Sequence, residues 1–409
     1  MILYCLVLAM LLMCSIKENI LLYEKKQFQV NSIVKSNTYK KIITLSFCIF
    51  MLMFVFRGSS VGTDTKAYLE IYSQFDLLTS KFKQEPIFLL INFISKLLGC
   101  QFFVVLTLVF VVQYFGFYLL IRKVSPYPMC TLFFMFSLGI WGISVNGMRQ
   151  FMAVGLFALA IYYLIKEENR LYFLACILAT FCHASALVLI PIYFIKYIKL
   201  DFGKMLIIGV ITIITIFALP YIIKMLSKIL TTDYYNRYIV EGAFKSEIGL
   251  YNLAYLVGMV AVFVWFFYIK TLIPNNSKDF AIYNIFLNLF FINVIVRLIA
   301  TFSGFFPLVS RFTMYFFWSI VFLIPYSIKY FQMAKLRKIY LPLLQVGGIV
   351  FFYFSAIIRN SNDVFPYKFY VGPFSFSWFL LIVLFALIVS NILFEYLWLE
   401  KNKFMRSYK

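Results

Sequence analysis

Apolar runs of membrane-spanning length recur along this chain from its first residues to near its end, and no other feature restricts its fold so strongly. About 20 consecutive apolar residues cross a bilayer core as a helix, and a helix satisfies its own backbone where no water is present. The chain therefore reads as all-α, a polytopic integral membrane protein with roughly 10–13 transmembrane helices. Of its 409 residues 64% are hydrophobic and only 13% charged, which leaves one transmembrane domain over 1–409 and no soluble one. The formal net charge of +21 does not point to nucleic acid. Many of the lysines and arginines sit in short loops between apolar runs, where the positive-inside bias places them. Seven cysteines lie in or beside the apolar runs with no C-x-x-C pair, and they read as small core residues, in neither a disulfide nor a metal site.

Charge asymmetry sets the sidedness. Met1 to Leu22 lacks a basic leader region and a small-residue cleavage site, so it reads as an uncleaved first span. Lys25, Lys26, Lys35, Lys40 and Lys41 mark the next loop as cytoplasmic, and the span 42–56 then delivers Arg57 to the outer face. From the other end, the basic tail 401–409 and the turn holding Lys329, Lys335, Arg337 and Lys338 are cytoplasmic. Counting back through spans 374–394, 340–358, 312–328, 281–300, 250–269 and 205–223 puts loops 224–249, 301–311 and 359–372 outside. The two counts agree only if an odd number of crossings separates residue 86 from residue 196. Among the apolar stretches between those points, 87–98 is too short for a core of ~30 Å and reads as interfacial, and 171–195 reads as re-entrant around His183. Three crossings remain, with Arg122 and Lys123 inside and Arg149 outside.

The outer face so defined carries a polar island, residues 57–86, holding Asp64, Glu70, Asp76 and Glu85 out of the 16 acidic residues. A connector between membrane helices is usually short, so this one reads as a functional loop. Opposite it, Asn146 is placed to cap a helix whose first turn holds Arg149, and Ser310-Arg311 repeats that arrangement. A cation there opposes the macrodipole, but helix start and cation together suit a diphosphate; the plainer reading is an arginine reaching for lipid headgroups. Arg297 either joins such an anion site or marks the interface. His183, the only histidine, lies in an apolar run, either as a general base or as a hydrogen-bonding tie between helices. Asp64 and Glu85 are the competing bases, or carboxylates orienting Arg57 or Arg149. Tyr68, Tyr72 and Tyr367 are placed to stack on sugar rings, and the cluster from Arg359 to Lys368 needs no more than a turn.

Arg57 with Gly62-Thr63-Asp64 and Tyr68, then Glu85-Pro86, Arg149-Gln150, and Phe181-Cys182-His183-Ala184-Ser185-Ala186 with Pro191, in that order, resemble the EpsG family of bacterial exopolysaccharide proteins. That family is related to the Wzy-type polymerases of O-antigen and capsule. Arg311 with Tyr315-Phe316, and Pro366-Tyr367, match in the second half. The resemblance implies a multi-pass protein of the bacterial inner membrane, a metal-independent glycosyltransferase without cofactors. It would transfer a growing glycan from undecaprenyl diphosphate to the next lipid-linked repeat unit at the outer face. Its partners would be undecaprenyl-diphosphate-linked oligosaccharide, membrane lipids, and the chain-length regulator and flippase of the same pathway. Arg149, Arg311 and Arg57 would hold the diphosphate, and His183, Asp64 or Glu85 would serve as base. Two other classes stay open: a transporter of polysaccharide or lipid-linked oligosaccharide, and a membrane O-acyltransferase.

Overall fold

The computed structural model describes residues 2–23, 37–75, 85–229, 249–331 and 334–369. The middle of the polar island with Asp76, most of the 224–249 loop, the expected span 374–394 and the basic tail lie outside the described residues. The chain divides into two compact units, Met1–Pro191 with Gln332–Lys409, and Ile192–Phe331. All regular structure among the described residues is helical, with eight helices long and apolar enough to cross a membrane and a ninth if a bent pair counts as one span. The protein is thus an all-α polytopic membrane protein.

In the first unit the order is α1 (Ile2–Tyr23), α2 (Asn37–Val55), α3 (Thr65–Ser73), α4 (Pro86–Leu97) and α5 (Phe102–Lys123). After these come α6 (Pro128–Ser137), α7 (Ile140–Asn146), α8 (Met148–Ile165) and α9 (Asn169–Cys182), then a 3-10 helix, Ala184–Tyr197. The apolar run expected at 128–145 is bent by 54° between α6 and α7. Gly139 takes φ 76° there, a conformation glycine adopts without Cβ strain.

Hydrogen bonds define two opposite ends of this unit. At one, Gly58 and Gly62 donate their backbone N–H groups to the carbonyls of Lys368 and Asp363, both at 2.7 Å, and Tyr4 donates to Val364 at 2.6 Å. Thr63 there bonds Asn146, and Tyr72 donates to the Cys100 carbonyl. This loop end gathers 57–64, 98–101, 145–148 and 359–369, and so brings together the start of the 57–86 island, the break before Arg149 and the 359–372 loop, all read from sequence as outer. At the other end Thr44 meets Tyr118, and Glu18 of α1 accepts from the backbone N–H groups of Met129 and Cys130 at 3.0 and 2.9 Å. Glu18 is 1% exposed. The Glu18 carboxyl across the first turn of α6 satisfies two of its orphan donors by hydrogen bonding. This explains an acid inside the first span.

The path between residues 86 and 197 follows from the same contacts. Helix α4 does not cross: Glu85 at its head meets Arg149 at the loop end, and near its tail Lys96 bonds the Ser73 carbonyl of α3. The α5 helix, the bent α6–α7 pair and α8 run between the two ends. Helix α9, about 21 Å long by its rise per residue, then climbs from the turn after α8 to His183. The 3-10 helix returns alongside it, since Tyr172 in the first turn of α9 donates to the Leu189 carbonyl at 2.8 Å. His183 is therefore the tip of a helical hairpin.

Two devices fix α8. Gly116 of α5 and Gly155 of α8 bring the helices into backbone contact, and a methyl built on either would overlap main-chain atoms of the other. Gln113 of α5, fully buried, donates to the carbonyls of Ser144 and Met148, which flank the break between α7 and α8.

The second unit contains α10 (Phe202–Ile229), α11 (Leu250–Thr271), α12 (Lys278–Phe302), α13 (Phe306–Val309), short 3-10 segments from Ser310 to Ser319, and α14 (Ile320–Tyr330). Helix α12 is its core, with α10, α11 and the 306–330 segment packed on it. Asn284 and Asn288 donate to the carbonyls of Ile198 and Ile195. Asp279 pairs with Lys329 and accepts from Tyr330, which ties the start of α12 to the end of α14. After residue 331 the chain re-enters the first unit as α15 (Ala334–Phe352) and a π-helical stretch, Tyr353–Ile358.

Candidate functional site

Three breaks in the helices bring three side chains together at the loop end. Glu85 is the residue before Pro86, and proline at the first position of α4 supplies a preset φ and no N–H to satisfy. Arg149 is the second residue of α8, next after the Gly147 break. His183 is extended, φ −158° and ψ 119°, between α9 and the 3-10 helix.

Glu85 uses both carboxylate oxygens. Its Oε2 pairs with Nη1 of Arg149, and its Oε1 lies 2.6 Å from Nδ1 of His183. The Arg149 Nε donates to the Tyr68 hydroxyl at 3.3 Å, and the Tyr68 ring packs edge-on to Phe88. The glutamate side chain is 8% exposed, while Arg149 and His183 are 24% and 27% exposed. The acid is thus covered, and the two groups it holds face outward. Burial alone would raise the Glu85 carboxyl; the His183 hydrogen bond and the Arg149 charge outweigh it and hold the group below the ordinary carboxylate value. A carboxylate at Nδ1 favours the imidazole tautomer protonated there, which leaves the lone pair on Nε2.

The other expected site residues are placed differently. Arg57 points inward: Nε donates to Thr65 Oγ1 at 3.2 Å, Nη1 to the Phe54 carbonyl, and Nη2 contacts Met148 Sδ at 3.1 Å. It is 2% exposed with its guanidinium over the Phe54 ring. Burial lowers its pKa to about 10, so it stays charged at neutral pH. Asp64 is exposed at the head of α3 with no capping bond from its side chain. Arg311 is exposed in the second unit and lies within a 3-10 helix, which corrects the expectation of an α-helical first turn there. Arg297, also in the second unit, donates to Asn252 and lies between the rings of Tyr255 and Phe306.

Asn146 does not cap α8, whose capping residue is Gly147. Its Oδ1 instead accepts from both the N–H and the hydroxyl of Thr63, at 2.6 and 2.7 Å. Gly62 beside it takes φ 88°, and a Cβ there would lie 2.7 Å from Val145 Cγ1. The polar loop is thereby locked to the segment that carries Arg149. Sequence reasoning singled out both Thr63 and Asn146 but missed their pairing, because Asn146 was read as a cap for its neighbouring helix.

A model of the EpsG family matches residues 40–369, most of the chain. No curated protein and no solved structure matches it.

Proposed function

The chain belongs to the EpsG family, a family of Wzy-type exopolysaccharide polymerases, and from that membership we propose that it joins lipid-linked repeat units by glycosyl transfer. The observation that carries the reading is Glu85 held between Arg149 and His183 at the loop end. The donor is a glycan on undecaprenyl diphosphate, and the acceptor is a hydroxyl of the next repeat unit. Arg149, at a helix start and partly exposed, binds the diphosphate. His183 Nε2 receives the proton of the acceptor hydroxyl as its oxygen attacks the anomeric carbon. The bond from that carbon to the diphosphate oxygen breaks, and undecaprenyl diphosphate leaves with its charge stabilised by Arg149. Glu85 orients the imidazole and does not take the proton, since both its oxygens are engaged. Asp64 and the inward-facing Arg57 have no part in the transfer.

The loop end is the outer face of the bacterial inner membrane in this reading, as the positive-inside count requires. Diphosphate is already a good leaving group, so the transfer proceeds without a metal and polymer yield withstands EDTA. The deciding experiment is the length of surface polysaccharide in a strain deleted for this chain and complemented with wild type, Arg149→Ala or His183→Ala. Single repeat units in the deletion strain, with no rescue by expressed variants, support polymerisation. Unchanged length with loss of acetylation would make it an O-acyltransferase, and repeat units trapped on the cytoplasmic side would make it a transporter.

A further inference from the structure

The arrangement at Glu85 does more than orient a base. One carboxylate serves two partners: the Arg149 cation, which in the proposed function meets the donor diphosphate, and the His183 imidazole, which meets the acceptor. The acid is the covered member of the three and has no further oxygen to offer. A diphosphate arriving at Arg149 competes with Glu85 for the same guanidinium. Whatever share of the Glu85 charge is released from Arg149 acts on His183 alone.

Resting on the polymerase reading, we infer that Glu85 is a relay by which donor binding at Arg149 raises the proton affinity of His183. The base then strengthens once the leaving group is in place. Such an order protects the acid–base pair from idle titration and makes acceptor activation conditional on donor. The sign is fixed by Coulomb's law. With the donor absent, Arg149 partly neutralises Glu85 and repels an imidazolium. With its charge taken up by diphosphate, both effects diminish and the imidazolium is favoured.

The described groups around His183 are few, and a bound anion adds its own field to theirs, so the Glu85 contribution is isolated by the Glu85→Gln comparison below. Glu85 at the head of α4 and Arg149 on α8 are the charged ones among the described residues. Tyr68 on α3 accepts from Arg149 and feels the charges of Arg149, Asp64 and Glu85. On α9 itself Cys182 is buried, and it feels the Glu85 charge. The 3-10 helix brings Ala184, Ser185, Ala186, Leu187, Val188, Leu189 and Ile190, none of which titrates.

His183 is the sole histidine in the sequence, so the imidazole can be observed without assignment. The full chain, 15N-labelled at histidine and purified through a histidine-free tag into detergent micelles, is titrated with pH by NMR with and without inorganic pyrophosphate. In wild type the His183 midpoint should rise by about one pH unit when pyrophosphate is bound. By reciprocity, pyrophosphate should bind wild type several-fold more tightly below that midpoint than above it, a readout that needs no variant. Glu85→Gln, which keeps the side-chain shape, should bind pyrophosphate more tightly than wild type and lose most of the midpoint shift. Glu85→Asp should keep the direction of the shift.

Binding that requires Arg149 but leaves the His183 midpoint unmoved would overturn the relay and leave the polymerase reading intact. Weaker pyrophosphate binding in Glu85→Gln would also overturn it, since a glutamate that merely braces Arg149 predicts that result. If pyrophosphate fails to bind wild type at all, or binds Arg149→Ala equally well, the anion site of the proposed function falls and the relay falls with it.

Discussion

Arg57 and Arg149 stand on either side of Met148, one behind it in space and one after it in sequence, and their surroundings are opposite. Arg57 is buried without a carboxylate among its bonding partners in the described residues: it is held by Thr65, a main-chain carbonyl, a thioether and an aromatic face. Arg149 is partly open and paired to a covered glutamate that also holds a histidine. A buried cation whose three nitrogens each bond a neutral acceptor is committed to the fold, and it clamps the chain where α2 becomes the polar loop. A partly exposed cation balanced by a buried acid has a partner it can exchange. The difference teaches that exposure and the identity of the counter-group, and not the presence of an arginine at a loop, separate a structural from a chemical cation.

The largest effect that would sharpen this contrast is on transfer. Arg149→Ala should lower polymer formation on the order of 1000-fold while its melting temperature in detergent stays close to wild type; a large loss of thermal stability would break the distinction. Arg57→Ala should do the reverse, losing about 3 kcal/mol through unpaired neighbours and lost packing, seen as a lower melting temperature and less folded protein in the membrane. Next comes the lock between the two regions. Gly62→Ala places a methyl against Val145 in a left-handed backbone, and it should cost about 2 kcal/mol of thermal stability. Smallest of all, Glu70→Gln removes a solvent-exposed pair with Lys66 at 4.0 Å and should change stability by less than about 0.5 kcal/mol. A larger change there would show that α3 is less independent of the loop lock than its exposure suggests.

Much of this organisation was legible in sequence. Short apolar stretches and the placement of Arg122 and Lys123 were enough to leave α4 uncrossed, to turn the chain at His183 and to bring Arg149 to the loop end. These follow from length against bilayer thickness and from charge bias, both local quantities. What was not legible were pairings over long separations. Glu85 meets Arg149 across 64 residues and His183 across 98, and no local rule chooses it over Asp64 as the partner. The inward turn of Arg57, and Glu18 capping a helix 111 residues away, are likewise products of packing. Asn146 and Arg311 were misread for a different reason: one found a better acceptor role at Thr63 than at its own helix, and the other sits in a 3-10 stretch where an α-helix was expected.

The glycine contact between α5 and α8 has a mechanical consequence. Where two helices touch through main chain there is no side chain whose rotamer can change, so neither helix can roll or slide without steric overlap. Arg149, mounted on α8 a turn and a half above that contact, is the anvil of the site: its position is referenced to α5 and stays put under load. Glu85 rides on a helix of only 12 residues that does not cross with the others. Any change in the Arg149–Glu85 distance must therefore come from the glutamate side, with α4 moving against a fixed arginine.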